Sequence, residues 1–180
     1  MKAGNRVFET EWFAIDELPH ETGKAGKPYY RISSKDWVEI LALTTDNKVI
    51  LVRQFRPALG TFTLELPSGY IDSGETPEEA VTRELLEETG FVCSRVVSTG
   101  ALRAIPSRID NTLWVFCGQE ARLIDSKKKD DEGIEVVLVT QDEFKKMITS
   151  GEFVEATGLA AYFLCALKGC FDETLESPSS

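Results

Sequence analysis

The sequence predicts an α+β fold in which helices pack on a mixed β-sheet. Two observations carry this. Short runs rich in Val, Ile, Leu, Phe and Trp recur along the chain, punctuated by Gly, Pro, Asn and Asp, which reads as many strands. Three stretches instead carry helix signals, one of them with both a start and a stop. Strands with a few helices bury their apolar faces best as helices layered on a sheet. At 180 residues, 42% hydrophobic and 28% charged, the chain is long enough for one domain with a packed core.

The elements follow in order. Residues 7–18 hold Trp12, Phe13 and Ile15 and read as a strand, and Pro19 to Lys27 as a turn. Tyr29 to Ile32 is a short strand. Trp37 to Leu43 is a stronger one, which turns at Asp46-Asn47 and returns as Val49 to Phe55. Trp37 itself is expected to be structural. Pro57 to Thr61 is a loop. Leu64 to Leu66 is extended, and Pro67-Ser68-Gly69 is expected to break it.

A helix over 77–89 has the clearest signals. Thr76 is the N-cap, Pro77 takes the first helical position, Glu79 completes a capping box, and Gly90 ends the helix. Strands are expected at 91–102, 112–119 and 134–139, with helices near 141–149 and 155–169. Residues 125–133 form a charged loop, and the acidic, serine-rich tail 172–180 is expected to be disordered.

Composition narrows function. Twenty basic against thirty acidic residues give a net charge of −10, which argues against a general nucleic-acid binder but not against a small phosphorylated substrate. No apolar run is long enough for a transmembrane helix, and no signal peptide is visible. Cys93, Cys117, Cys165 and Cys170 form no CxxC pair and have one histidine, His20, to help them. Four reduced thiols in a cytoplasmic protein are therefore expected, rather than a zinc site or disulfides. A lone histidine in a turn also leaves no Ser/His/Asp arrangement.

Chemistry concentrates in Glu75, Glu79, Glu84, Glu87 and Glu88. On a helix, Glu84, Glu87 and Glu88 share one face, where like charges repel. Arg83 can hold one carboxylate by a bidentate pair. A hard divalent cation such as Mg²⁺ suits the others, and a peptide carbonyl near Ser68 could join it, because the glycines of Gly69 to Gly74 allow close backbone approach. The competing reading is a solvated acidic helix face.

The pattern decides between them. Gly69, five residues, Glu75, seven residues, then Arg83-Glu84-Leu85-Leu86-Glu87-Glu88-Thr89-Gly90 resembles the Nudix box at every defined position. Val52 to Pro57, Leu64 to Asp72, and Pro106 fifteen residues after Phe91 are similar to the ADP-ribose and nucleotide-sugar pyrophosphatase branch. Ser68 stands where that branch often has alanine, and Ser107 where it often has glycine. The resemblance covers roughly residues 7–170.

It implies the Nudix fold, a mixed sheet sandwiched between helices. The predicted organisation is a β extension over 1–36 for dimerisation and base binding, a hydrolase domain over 37–171, and the tail. It implies a Mg²⁺- or Mn²⁺-dependent hydrolase of ADP-ribose or related nucleoside diphosphate sugars, acting as a homodimer. Glu84, Glu88 and the Ser68 carbonyl resemble metal ligands, and Glu87 a ligand or base. Glu75 pairs with Arg83 or supports metal water. A general base is expected from Glu132 or Asp131. Arg56, Arg53, Arg108 and Pro106 are placed near phosphate or the second sugar; since Arg53 and Arg56 face opposite sides of a strand, only one meets substrate. Trp12, Tyr29 and Tyr30 are candidates to stack on the base. Two alternatives remain open: a Nudix hydrolase of dinucleoside polyphosphates, triphosphates or RNA 5′ ends, and a non-catalytic binding module.

Overall fold

The computed structural model describes residues 4–19, 27–124 and 133–171. His20, the charged segment 125–132 with Asp131 and Glu132, and the tail 172–180 lie outside the described residues, as does most of the turn expected at 19–27.

Eleven strands and three helices are described: β1 (Asn5–Glu9), β2 (Phe13–Leu18), β3 (Tyr29–Ser34), β4 (Trp37–Thr44), β5 (Lys48–Arg56), β6 (Thr61–Glu65), β7 (Ser68–Tyr70), α1 (Pro77–Thr89), β8 (Phe91–Val92), β9 (Arg95–Leu102), β10 (Leu113–Leu123), β11 (Glu135–Thr140), α2 (Gln141–Ser150) and α3 (Ala156–Leu167). The first three form an antiparallel sheet of their own. The remaining eight form a mixed sheet, in which β10 runs parallel to β4 and the other pairings are antiparallel.

The alternation of β4 explains the layers. Val38, Ile40 and Ala42 face α1 and pack with Ala80, Val81 and Leu85. Leu41 and Leu43 face the other way, onto Phe144, Phe153 and Ala161 of the α2–α3 layer. A side chain such as Phe144, fully buried, contributes about 2–3 kcal/mol. Glu39 shares the odd-numbered face with Leu41, so the same pleat carries a carboxylate into the α3 side.

The sequence reading differs most in three places, besides β10, which runs on to Leu123, and β6, which starts at Thr61. The strand expected at 7–18 is two strands. Thr10 turns the chain between them, its hydroxyl accepting from the N–H groups of Trp12 and Phe13, and Trp12 sits in the turn. The strand expected at 91–102 breaks at Cys93-Ser94. The expected break at Pro67-Ser68-Gly69 is instead the start of β7, whose Ser68 and Gly69 pair with Glu39 and Val38 of β4. A proline can precede a strand, and glycine leaves room that a neighbour needs here. Helix α1 occupies 77–89 as expected, with its capping box and left-handed Gly90.

All four cysteines are free. The sulfurs of Cys117, Cys165 and Cys170 come within 4.8 Å of one another in the α3-side core. Burial pushes the Cys170 thiol up to about 12, so this side chain stays protonated and neutral.

Candidate active site

Helix α1 lifts its acidic face toward the β7 turn, and Arg83 organises it. Its Nε and Nη2 each donate to a Glu75 carboxylate oxygen at 2.9 Å. Its Nη1 donates to Glu84 at 2.7 Å and to Glu87 at 3.1 Å. Nη2 also donates to the Tyr70 carbonyl at 3.0 Å. One guanidinium therefore ties three carboxylates to the strand that precedes the helix. The Arg83 bond holds Glu75 below the usual carboxylate range. Burial pushes Glu84 upward against the pull of Arg83.

Strand β7 closes on the same face. The Ser68 N–H donates to Glu88 at 3.0 Å. A Cβ on Gly69 would overlap the Glu84 carboxylate. Glycine at this position is thus a space requirement, a cradle that a methyl group would fill. Glu84, Glu87, Glu88 and the Ser68 backbone offer oxygen donors only, which is the set a hard divalent cation takes. The residues present fit such a cation.

A second charged group forms the floor. Arg56 binds Glu65 bidentately, through Nε at 2.7 Å and through Nη2. Thr63 and Gln54 complete the Glu65 bonds. Burial raises the Glu65 carboxyl, but the Arg56 and Thr63 bonds outweigh it and leave the group lowered. Deeper, Glu39 is fully buried and neither of its oxygens has a hydrogen-bond donor among the described residues. Burial, then the charge of Glu155, pushes Glu39 up to about 9. Burial and the charge of Glu65 push Glu155 up to about 7. Burial of this depth favours the neutral form of a carboxyl.

A cavity of about 560 Å³ joins these parts. At one end lie Ser68, Gly69, Glu88 and Arg56. At the other lie Trp12 and Phe13 of the N-terminal sheet, Trp37 of β4, and Ile105 and Ile109 of the β9–β10 loop. The loop and the small sheet are fixed together: Ile32 N–H donates to the Arg108 carbonyl at 2.8 Å, and Arg31 pairs with Asp110 at 3.1 Å.

The structure brings Ser68, Arg56 and Trp12 to the cavity with Glu88, while Glu75, Arg83, Glu84 and Glu87 adjoin it around α1. Arg53 points elsewhere, pairing with Glu135 at 3.1 Å and lying over the Phe62 ring. Tyr29 donates its hydroxyl to the Ser107 carbonyl and carries the Arg108 guanidinium 5.0 Å above its ring. Tyr30 donates to Glu17. None of Tyr29, Tyr30, Pro106 and Arg108 lines the cavity, and Tyr29 with Arg108 joins the β9–β10 loop to the N-terminal sheet. Sequence reasoning left Trp37 as structural, and missed Phe13, Ile105 and the buried Glu39, Glu65 and Glu155. Trp37 was legible as a large aromatic at a strand start; the three glutamates come from separate segments with no local pattern.

The comparisons with known proteins agree with this geometry. The NUDIX domain family profile matches residues 36–157. An ADP-ribose pyrophosphatase of Bacillus subtilis is 34% identical over 151 residues, covering 82% of this chain and 80% of the relative. An ADP-sugar pyrophosphatase of Mus musculus is 38% identical over 101 residues, 53% of this chain and 46% of the relative. A crystal structure of an ADP compounds hydrolase superposes with a TM-score of 0.75 at 22% identity, over 91% of this chain and 90% of that one, which shows the shared fold. The chain belongs to the Nudix hydrolase family.

Proposed function

We propose that the protein hydrolyses ADP-ribose to AMP and ribose 5-phosphate, or cleaves a closely related nucleoside diphosphate sugar to its nucleoside monophosphate and sugar phosphate. The observation that carries this is the single cavity that runs from the Glu88–Ser68 end, past Arg56, to an apolar aromatic wall. Its two ends suit a pyrophosphate and a nucleobase respectively. The Bacillus subtilis relative bears the name of this activity.

Mg²⁺ or Mn²⁺ is the cation we assign to Glu84, Glu87, Glu88 and the Ser68 carbonyl. When bound, such ions offset the charge of the pyrophosphate oxygens and acidify the attacking water. The chain's own residues do the rest. Arg56 faces the phosphates as a fixed fork, held by Glu65. Trp12 offers a flat face to the base. Arg83 keeps Glu84 and Glu87 in place. Glu87, half exposed at the helix surface, serves either as a cation ligand or as the base; Glu132 and Asp131 are the candidates for a base from the loop. The exposed apolar residues Val7, Phe8 and Phe13 of the N-terminal strands favour a homodimer, which sedimentation at the monomer mass would rule out. The free thiols suit the reducing cytoplasm.

The test is a hydrolysis panel with Mg²⁺ or Mn²⁺, with products separated by chromatography. It includes ADP-ribose, ADP-glucose, UDP-glucose, GDP-mannose, a diadenosine polyphosphate and a nucleoside triphosphate. ADP-ribose cleaved in preference, with activity lost in a chelator and restored by the cation, is the expected result. Cleavage of the triphosphate alone overturns the substrate assignment. Binding of ADP-ribose with no turnover overturns the enzymatic one.

A further inference from the structure

Glu155 occupies the N-cap position of α3, yet its side chain makes no capping hydrogen bond to the backbone of that helix. An N-cap side chain ordinarily accepts from the first turn of its own helix. Here the carboxylate is turned to the sheet. Its Oε2 accepts from the N–H of Leu66 at 3.1 Å, and its Oε1 accepts from the Thr157 hydroxyl at 3.2 Å.

The helix makes room for this. A Cβ on Gly158 would stand 2.9 Å from the Glu155 carboxylate and 2.6 Å from the Phe153 ring. Glycine inside a helix costs about 1 kcal/mol relative to alanine. A spatial reason for the glycine is therefore present: it leaves room for the Phe153 ring and for the same carboxylate.

What Glu155 holds matters because of where it leads. Leu66 is joined through Pro67 to Ser68. The Pro67 carbonyl accepts from Ile40 N–H at 3.0 Å, and the Ser68 N–H donates to Glu88 at 3.0 Å. The link between β6 and β7 is thus pinned from three elements: α3 through Glu155, β4 through Ile40, and α1 through Glu88. Of these pins only Glu155 comes from the layer opposite α1.

We propose that Glu155 is a positioning residue for the cation site: from α3 it fixes the Leu66–Ser68 backbone through the Leu66 N–H, and so sets the Ser68 carbonyl against Glu88. The inference rests on the reading of Ser68 and Glu88 as cation-binding groups. It predicts that the hydrogen-bond acceptor, rather than the negative charge, is what Glu155 supplies.

The experiment measures Mn²⁺ binding to the substrate-free protein by the electron paramagnetic resonance signal of free Mn²⁺, beside Mg²⁺ activation and KM with ADP-ribose. Glu155→Ser keeps a good helix cap but cannot reach Leu66. It is expected to weaken Mn²⁺ binding, and to raise the Mg²⁺ concentration for half activity, by about tenfold or more, the scale of losing a partner that orients a ligand, while KM stays within about threefold. Glu155→Gln retains an amide oxygen and is expected to match wild type in all three readouts. Gly158→Ala, which crowds the carboxylate while leaving Glu155 in the chain, is expected to follow Glu155→Ser and stands in for it should that variant fail to fold. Wild-type Mn²⁺ binding in both Glu155→Ser and Gly158→Ala overturns the inference, as does an equal loss in Glu155→Gln. Glu88→Gln serves as the control. If it binds Mn²⁺ as wild type does, the assignment of the cation site itself fails, an outcome separate from the first two.

Discussion

Gly69 and Glu84 share a space that admits no methyl group: a Cβ on Gly69 would overlap the Glu84 carboxylate. The glycine is far from the glutamate in sequence, and the contact forms only because β7 pairs with β4 beneath α1. Gly69→Ala is therefore expected to displace Glu84 rather than to unfold the sheet. We expect kcat to fall by at least about 10²-fold, in keeping with several kcal/mol of lost charge stabilisation at the reacting centre. Steady-state rates beside a thermal melt check this; near-normal kcat would show that Glu84 is not required where it lies.

Arg56 and Glu65 separate stability from substrate binding. Glu65 is buried and Arg56 is half exposed. Arg56→Ala leaves the carboxylate without its partner, at an expected cost of about 3 kcal/mol, the low end for a broken buried pair. Adding Glu65→Gln removes the stranded charge and should recover most of that stability. The raised KM for ADP-ribose should remain in the double variant. Chemical denaturation and KM on the single and double variants decide it, and a KM restored by Glu65→Gln would mean that Arg56 does not touch the phosphates.

Trp12 lines the cavity although 62% of it is exposed. A stacked base is worth about 1–3 kcal/mol by alanine substitution, so Trp12→Ala should raise KM for ADP-ribose by about 5- to 100-fold with kcat little changed. Initial rates over a substrate series measure this. An unchanged KM would place the base elsewhere, against Trp37 or Phe13.

Glu39 gives a pH dependence with a definite sign. Burial raises its folded value to about 9, while the unfolded chain titrates near the ordinary 4.5. Between these values the folded state holds more protons, so stability falls as pH rises through this window. Glu155, raised to about 7, adds in the same direction. The melting temperature should drop from pH 6 to pH 9, and Glu39→Gln, neutral throughout, should flatten the drop. Parallel curves for the two proteins would show that Glu39 is already ionised in the folded state at pH 6.

Legibility in the sequence followed the range of the interactions. Helix α1 was readable from Thr76, Pro77, Glu79 and Gly90 because caps are local. The clustering of carboxylates was readable for the same reason, since one helix face carries Glu84, Glu87 and Glu88. Strand β7 was not: Pro67 and Gly69 look like breakers, and only the pairing of Ser68 to Tyr70 with Trp37 to Glu39 makes a strand there. Trp12 was named as a base contact but placed in a strand, because the Thr10 turn depends on one hydroxyl. Arg53 and Arg56 were separable by strand alternation, but Tyr29 and Arg108, which pair with each other, gave no local sign of it. Glu39, Glu65 and Glu155 converge from three distant segments, which no spacing rule anticipates.

The Arg83 hub has a consequence for how the site is assembled. Three carboxylates already share one guanidinium, with Glu75 held on both oxygens. The repulsion on the acidic face is thus partly offset within the chain itself, so α1 does not depend on a cation for all of its charge relief. A cation at the site proposed above would enter by exchange, taking Glu84 and Glu87 from Arg83 while Glu75 keeps its hold. Arg83 would then be a placeholder: it would let the chain mature without the ion, and would lower the ion's affinity by the strength of the bonds that the ion must replace.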